Sequence, residues 1–352
     1  MLMLMTVTYS ATSERAGVMP VPRDKSLPKP KPEFEVAPGY VLNQIPYGGG
    51  SPIWIDDDTV LFVGSRWRSA SEMSRTGNEI ALHRWNTKTN EIEEIAKAGP
   101  YANLCYDRGF LYLSFVRGDE VVTREGPIGR QTETVTKRGT RPSPERFFDY
   151  YNCRFRDVQA AIQTRPNVVA FLRDDHGFIE LERTTEPLPQ RKYFLVPPSG
   201  ERIWLKGFPG GPGNPPFSQF RQAYIYQYGG SDMSAAAEKH IWEIGIDGHV
   251  TDIELPKGFS GYIMAAPARD GMIVTTPGGR LDDATGAYIM RGKDVKRIVK
   301  AFVNPMSPRR LAVSPNGCKV AMSIQPVEDR SAYRPRPDDE KGSRHAVLDT
   351  CR

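Results

Sequence analysis

The sequence predicts an all-β protein made of short antiparallel strands. Glycine and proline are frequent, at 32 and 30 of 352 residues, which favours a turn-rich chain over a helical bundle. From residue 50 onward, short apolar runs rich in β-branched and aromatic residues recur, and runs of that length are typical of strands. The turns between them carry the Asp, Asn and Gly residues that tight hairpins require.

A strand–turn–strand unit recurs along the chain, and a second hairpin follows the first, as at residues 80–95. With one unit counted near residues 215–222, six units follow one another at a mean step of about 52 residues. Repeats of this length with four strands each predict a β-propeller, here with six four-stranded antiparallel blades. Seven blades are the alternative, because the third unit is long enough to conceal further strands. The turns of the other first hairpins lie at residues 56–58, 107–109, 174–177, 268–271 and 315–317.

An unpaired strand at residues 40–45 precedes the first unit, whereas the last unit lacks a fourth strand. Pairing the two would close the ring of blades and remove two exposed sheet edges. We therefore expect one propeller domain over residues 40–352, closed by the N-terminal strand. We expect residues 1–39 to form a disordered N-terminal segment, because residues 14–39 are polar and rich in proline.

The N-terminus and the cysteines bear on the compartment. Residues 1–13 carry a short apolar patch followed by small residues, which fits a truncated secretory signal peptide or an irregular terminus equally well. Cys105, Cys153, Cys318 and Cys351 form no C-x-x-C pair, so zinc and thioredoxin-type sites have no support. Four cysteines suit two disulfides in an oxidising compartment, although their pairing stays open. We expect a periplasmic or otherwise exported protein, with a cytoplasmic one as the alternative.

Residues 311–321, with the sequence LAVSPNGCKVA, resemble the repeat signature of TolB-like (WD40-like) propellers. In that signature an apolar strand, Ser-Pro-Asp-Gly, a lysine and a second apolar strand follow in order, and here Asn316 replaces the aspartate. The resemblance implies a six-bladed fold that is found in bacterial envelope proteins and in gating domains of some peptidases. It carries over no catalytic residue. The sequence contains no G-x-S-x-G motif, and we expect no hydrolase domain after the propeller.

Charge and motif spacing favour no particular chemistry. The net charge is +5, and we expect no nucleic-acid partner, because the basic and aromatic residues near 137–151 fit a solvated edge strand better than a base-stacking platform. No apolar run approaches the roughly 18 residues of a membrane span. The carboxylate clusters lack EF-hand spacing, and none of the five histidines has a partner at ligand spacing. We therefore expect no catalytic residue, no metal, no cofactor and a monomer.

The longest insertions fall between the second and third strands of the units, at residues 64–78, 229–238, 277–285 and 325–343. In a propeller these connections emerge on one face, around the central channel. Long loops commonly serve binding, and arginine and tryptophan are frequent at binding hot spots. The residues that we expect to bind a ligand on this face are Arg66, Trp67, Arg68, Arg75, Asp282 and Asp283.

The sequence thus favours a non-enzymatic propeller that binds a protein or an envelope component through its long-loop face. The alternative is a metal-dependent hydrolase or lactonase that uses carboxylates facing the channel. A third hypothesis is a regulatory or gating propeller that works only with a separate chain.

Overall fold

Antiparallel strands are the regular structure of the described residues, which contain 29 strands and no helix. All the strands belong to one unit, Phe34–Arg352. The first two, β1 (Glu35–Val36) and β2 (Val41–Ile45), join sheets formed by the end of the chain. The computed structural model describes residues 34–50, 52–66, 79–137, 148–149, 154–155, 167–172, 176–184, 190–210, 215, 217–228, 240–255, 264–276, 285–303, 311–325 and 344–351.

Six sheets of four or five strands follow one another in this part of the chain and are numbered 1 to 6 in that order. A two-stranded ribbon, β12 (Phe148–Asp149) with β13 (Arg154–Phe155), lies between sheets 2 and 3 in sequence. Sheet 1 contains β3 (Tyr47–Gly49), β4 (Ile53–Trp54), β5 (Thr59–Arg66), β6 (Ala81–Asn86) and β7 (Glu91–Lys97). Sheet 2 contains β8 (Asn103–Asp107), β9 (Phe110–Arg117), β10 (Glu120–Pro127) and β11 (Thr132–Lys137). Sheet 3 contains β14 (Val168–Phe171), β15 (Phe178–Thr184), β16 (Gln190–Val196) and β17 (Ile203–Trp204).

The remaining sheets are antiparallel too, and consecutive strands pair throughout sheets 4 and 5, whereas in sheet 6 both β26 and β27 pair with β28. Sheet 4 contains β18 (Phe217–Ser218), β19 (Ala223–Tyr228), β20 (His240–Gly245) and β21 (Val250–Glu254). Sheet 5 contains β22 (Met264–Ala268), β23 (Gly271–Thr276), β24 (Gly286–Arg291) and β25 (Asp294–Lys300), with β1 beside β25. Sheet 6 contains β26 (Phe302–Val303), β27 (Leu311–Val313), β28 (Lys319–Gln325) and β29 (Arg344–Asp349), with β2 beside β29.

Neighbouring sheets pack face to face through alternating residues of the same strands. In β5, Val60 and Phe62 pack toward sheet 6, whereas Leu61 and Val63 pack toward sheet 2. Successive side chains of a strand point to opposite faces, so a sheet that is covered on both sides needs apolar residues at every position. This explains why the strands appear in the sequence as continuous apolar runs. Buried clusters of this kind join sheets 6 and 1, 1 and 2, 3 and 4, 4 and 5, and 5 and 6.

The N-terminal strand β2 lies along the last strand of the chain, in register from Val41 opposite Asp349 to Ile45 opposite His345. Just before it, β1 pairs with the outer strand of sheet 5, and Phe34 is buried in the cluster between sheets 5 and 6. The chain therefore covers the outer edges of two neighbouring sheets before it enters sheet 1. The domain boundary between residues 39 and 40 stays a prediction, although pairing begins at Glu35.

Candidate binding face

The two ends of the sheets have different connections. At one end, here named the turn end, tight turns join first and second strands, and turns of neighbouring sheets touch. The Asn316 N–H donates to Asp57 Oδ1 (2.8 Å), and the Arg269 N–H donates to the Gly317 carbonyl (2.8 Å). At the opposite end, the loop end, second and third strands are joined. The four long insertions of the sequence lie in these joins, at residues 67–80, 229–239, 277–285 and 326–343.

The residues of the TolB-like signature form the turn end of sheet 6. The Ser314 hydroxyl donates to Asn316 Oδ1 (2.8 Å), as expected of an Asn side chain that stabilises a turn. The Lys319 ammonium donates to the Asp58 carboxylate and to Thr87 Oγ1 (3.3 Å), both on the sheet 1 side. The hydrogen bond from Lys319 holds the pKa of Asp58 below its usual value. The signature thus joins the last sheet to the first, which is a structural role.

One aromatic side chain projects from the loop end between sheets 1 and 2. Tyr101 follows Pro100 in the connection from β7 to β8 and is 71% exposed. The Pro100 carbonyl accepts a hydrogen bond from the Val116 N–H (3.1 Å) near the end of β9, which places the connection at this end. The φ of Tyr101 is 56°, in the left-handed region that costs a non-glycine residue about 1 kcal/mol or more. Burial does not explain a tyrosine at this position, because the side chain is exposed. A large exposed side chain on such a backbone therefore points to a residue that contacts a partner.

The charged side chains around Tyr101 form local ion pairs. Lys97 lies 3.3 Å from Glu94 and 3.6 Å from Glu79, and the hydrogen bond with Glu94 raises the pKa of Lys97. In sheet 2, Arg117 lies 3.3 Å from Glu120. These exposed pairs contribute little to stability, but they balance the charge of the rim. Tyr101 therefore stands among charges that are already paired, and its own contribution to binding would be apolar contact and a phenolic hydrogen bond.

Of the six predicted binding residues, the structure describes one. Arg66 is the last residue of β5, exposed at the loop end and opposite Tyr47 of β3 in register. Trp67, Arg68, Arg75, Asp282 and Asp283 lie outside the described residues, so their grouping stays a prediction. Sequence reasoning missed Tyr101. The preceding Gly99-Pro100 indicates a connection, but no sequence signal separates an exposed tyrosine from a packed one.

Three histidines begin third strands at the loop end, and each is held by packing or by a local partner. His240 Nδ1 lies 2.8 Å from Asp252 Oδ1, and its imidazole stacks on the Trp242 indole at 5.4 Å. His83 and His345 are buried between sheets 1 and 6. Among the described residues, no three His, Cys, Asp or Glu side chains come together in a way that could hold a metal ion.

The cysteines are oxidised. Cys318, at the start of β28, and Cys351, just beyond β29, form a disulfide. Cys105 is also disulfide-bonded. Within those ranges, no helix is long and apolar enough to cross a membrane.

The sheets fit a TolB-like β-propeller. This follows from their four-stranded antiparallel order and consecutive packing, as the signature at residues 311–321 implied. No family model and no curated protein matches the chain.

Solved propellers resemble the chain only distantly. TolB from Acinetobacter baumannii is 13% identical, with a TM-score of 0.35, over 85% of this chain and 66% of that chain. An acylaminoacyl peptidase from Pyrococcus horikoshii is 10% identical, with a TM-score of 0.42, over 80% and 49%. The β-propeller domain of the trilobed protease from Pyrococcus furiosus is 10% identical, with a TM-score of 0.31, over 82% and 79%. The chain spans about two thirds of the TolB chain and about half of the peptidase chain, and at these scores the similarity carries no functional argument.

Proposed function

We propose that residues 40–352 form a six-bladed propeller closed by β2, and that it acts as a non-enzymatic scaffold binding a protein of the cell envelope. Support for six blades comes from the six sheets and from the five successive interfaces between them. Support for closure comes from the pairing of β2 with β29, which gives sheet 6 an outer strand.

Binding is assigned to the loop end, and the observation that carries this assignment is Tyr101. It combines high exposure, a left-handed backbone and a position beside the second-to-third strand connections. Tyrosine offers a large rigid contact area at low entropic cost, and it is enriched among binding hot spots. Further contact residues of the same face would be Arg66, Trp67, Arg68, Arg75, Asp282 and Asp283.

An exported location agrees with the oxidised cysteines, because disulfides persist in oxidising compartments such as the periplasm. In this proposal the protein is a monomer whose partner is another envelope protein.

Site-specific photo-crosslinking in intact cells tests the proposal. A photoreactive phenylalanine analogue replaces Tyr101 in one variant and, as a matched control, Trp204 in another. Trp204 is 51% exposed on the outer strand of sheet 3, away from the loop-end connections. We expect one adduct of defined mass from position 101 and none from position 204, and Tyr101→Ala should weaken binding of the captured protein at least tenfold. Equal adducts from both positions, or none from position 101, would contradict the proposal.

A further inference from the structure

Two buried histidines contact the same Phe62 ring at the interface between sheets 6 and 1, here named the closure interface. His345 lies on β29, and His83 lies on β6. The Phe62 ring contacts both imidazoles, with centroids 4.6 Å from His345 and 5.1 Å from His83. Tyr47 packs on His83 at 4.9 Å. His345 is 1% exposed and His83 is 5% exposed, so water does not reach either ring.

Neither histidine has the partners that a charged imidazole needs. His83 Nε2 lies 3.3 Å from the Gly64 carbonyl, which can only accept, so Nε2 carries the proton and Nδ1 is the neutral acceptor. Among the described residues, His83 Nδ1 and both ring nitrogens of His345 have no hydrogen-bond partner. Burial lowers the pKa of His83, and burial together with the neighbouring His83 lowers the pKa of His345 to about 3.

The charged groups of the surrounding strands do not compensate for this burial. Glu94, opposite His83, raises its pKa, but Lys97 beside it lowers that pKa, and burial outweighs both. Lys319 and Asp58 pair with each other at the far, turn end of the same interface. Arg84, beside His83 on β6, pairs with Glu93 of β7. The other titratable or charged residues of the strands that carry or pack on the two imidazoles are Tyr47, Arg66, Glu91, Arg344 and Asp349.

At this interface an early strand of the described residues meets the last one. The backbone pairing of β2 with β29 joins them there, with no hairpin turn between the two strands. In sheets 2 to 4, by contrast, all adjacent strands are consecutive in the chain. Because β2 continues directly into β3 of sheet 1, sheets 6 and 1 can separate by unpairing β2 from β29, which breaks hydrogen bonds but no covalent connection.

We propose that His83 and His345 make the closure interface an acid-responsive element, which is held shut while both imidazoles are neutral and opens when either takes up a proton. The closed interface admits only the neutral imidazoles, whereas in the open one water can solvate an imidazolium. This inference is independent of the proposed binding function.

The sign follows from proton linkage. The open state binds protons near pH 6.5, as an ordinary histidine does, and the closed state binds them only at much lower pH. The opening equilibrium is therefore lowest well above pH 6.5, and it shifts toward the open state as the pH falls below that value. Well below pH 6.5 each histidine raises the opening equilibrium about tenfold per pH unit, which amounts to about 30-fold between pH 7.5 and pH 5.0.

Hydrogen exchange measured by mass spectrometry at pH 7.5 and pH 5.0, corrected for intrinsic rates, tests this inference on the whole protein. We expect peptides that cover residues 41–47, 81–86 and 344–349 to lose protection at least tenfold more than reference peptides. The reference peptides cover residues 223–228 and 271–276, which pack between sheets 4 and 5. Equal loss of protection in both sets would overturn the proposal.

Three variants separate the histidines from other titrating groups. His345→Leu removes the buried imidazole, and His83→Gln retains a donor for the Gly64 carbonyl without titrating near neutral pH. Each should remove one histidine's contribution, so that the acid response becomes about 30-fold smaller between pH 7.5 and pH 5.0, and one variant remains informative if the other fails to fold. His249→Gln, at an exposed turn position, should leave the response unchanged. An acid response of undiminished size in both His345→Leu and His83→Gln would exclude the two histidines as its source.

Discussion

Lys319 of the last sheet donates a hydrogen bond to the carboxylate of Asp58, which lies at the turn end of the first sheet. The Lys319 side chain is largely buried and also contacts Thr87. We expect Lys319→Met to reduce the free energy of unfolding by about 1 kcal/mol, because Asp58 loses its cation while the apolar stem is retained. Urea titration measures the effect. Lys293→Met, at an exposed turn, is the control and should change stability by less than half as much.

The same pair predicts a pH dependence. The hydrogen bond from Lys319 lowers the pKa of Asp58 below its ordinary value of 3.8, so the folded state holds this proton less tightly than the unfolded chain does. The stabilising effect is complete above pH 3.8 and disappears as the pH falls through the folded pKa. We expect the unfolding free energies of wild type and Lys319→Met to converge in that acidic range. A difference that is constant from pH 7 down to pH 2 would contradict this assignment.

The Cys318–Cys351 disulfide closes a loop of 33 residues. Removing both sulfurs in Cys318→Ser/Cys351→Ser should reduce stability by about 2–4 kcal/mol, since the unfolded chain gains freedom that the crosslink denies it. Thermal unfolding of the two proteins without reductant measures the loss. With reductant the two proteins should unfold alike, and a difference that survives reduction would show that side-chain packing causes the effect.

Gly64 allows β3 to approach β5 closely. A Cβ at this position would lie 2.2 Å from the Gly48 carbonyl oxygen, a backbone atom that cannot move aside cheaply. Gly64→Ala should therefore destabilise the protein by about 2 kcal/mol or more, and it should disturb the carbonyl to which His83 donates. Gly50→Ala is a matched control, because its Cβ would meet its nearest neighbour at an ordinary 3.6 Å. Similar urea midpoints for the two variants would refute the steric argument.

Tyr101 should show opposite effects on stability and on binding. Asparagine adopts the left-handed region more easily than tyrosine, so Tyr101→Asn should keep or raise stability, by up to about 1 kcal/mol. The same substitution should weaken binding to the partner captured at position 101, because the aromatic contact is lost. Thermal unfolding and an equilibrium binding assay measure the two effects. A clear loss of stability would assign Tyr101 to packing instead.

The sequence predicted the local features well because local chemistry determines them. The turn at residues 315–317 forms where its Asn and Gly indicate, and the strand at residues 41–45 pairs with the last sheet. The shared contact of His83 and His345 with Phe62 could not be predicted, because it depends on which faces of the first and last sheets meet. The exposure of Tyr101 could not be predicted for a similar reason, since it depends on how the connection crosses from sheet 1 to sheet 2.

The position of β2 has a consequence for how the chain folds. Ile45 cannot find its partner strand until His345 has been synthesised, so β2 must stay unpaired while the strands of all six sheets are made. Contacts between such distant residues are slow to form, and exposed strand edges invite pairing with other chains. A chaperone that shields residues 41–45 until His345 has been synthesised would increase the yield of folded protein more than a chaperone acting on the central sheets.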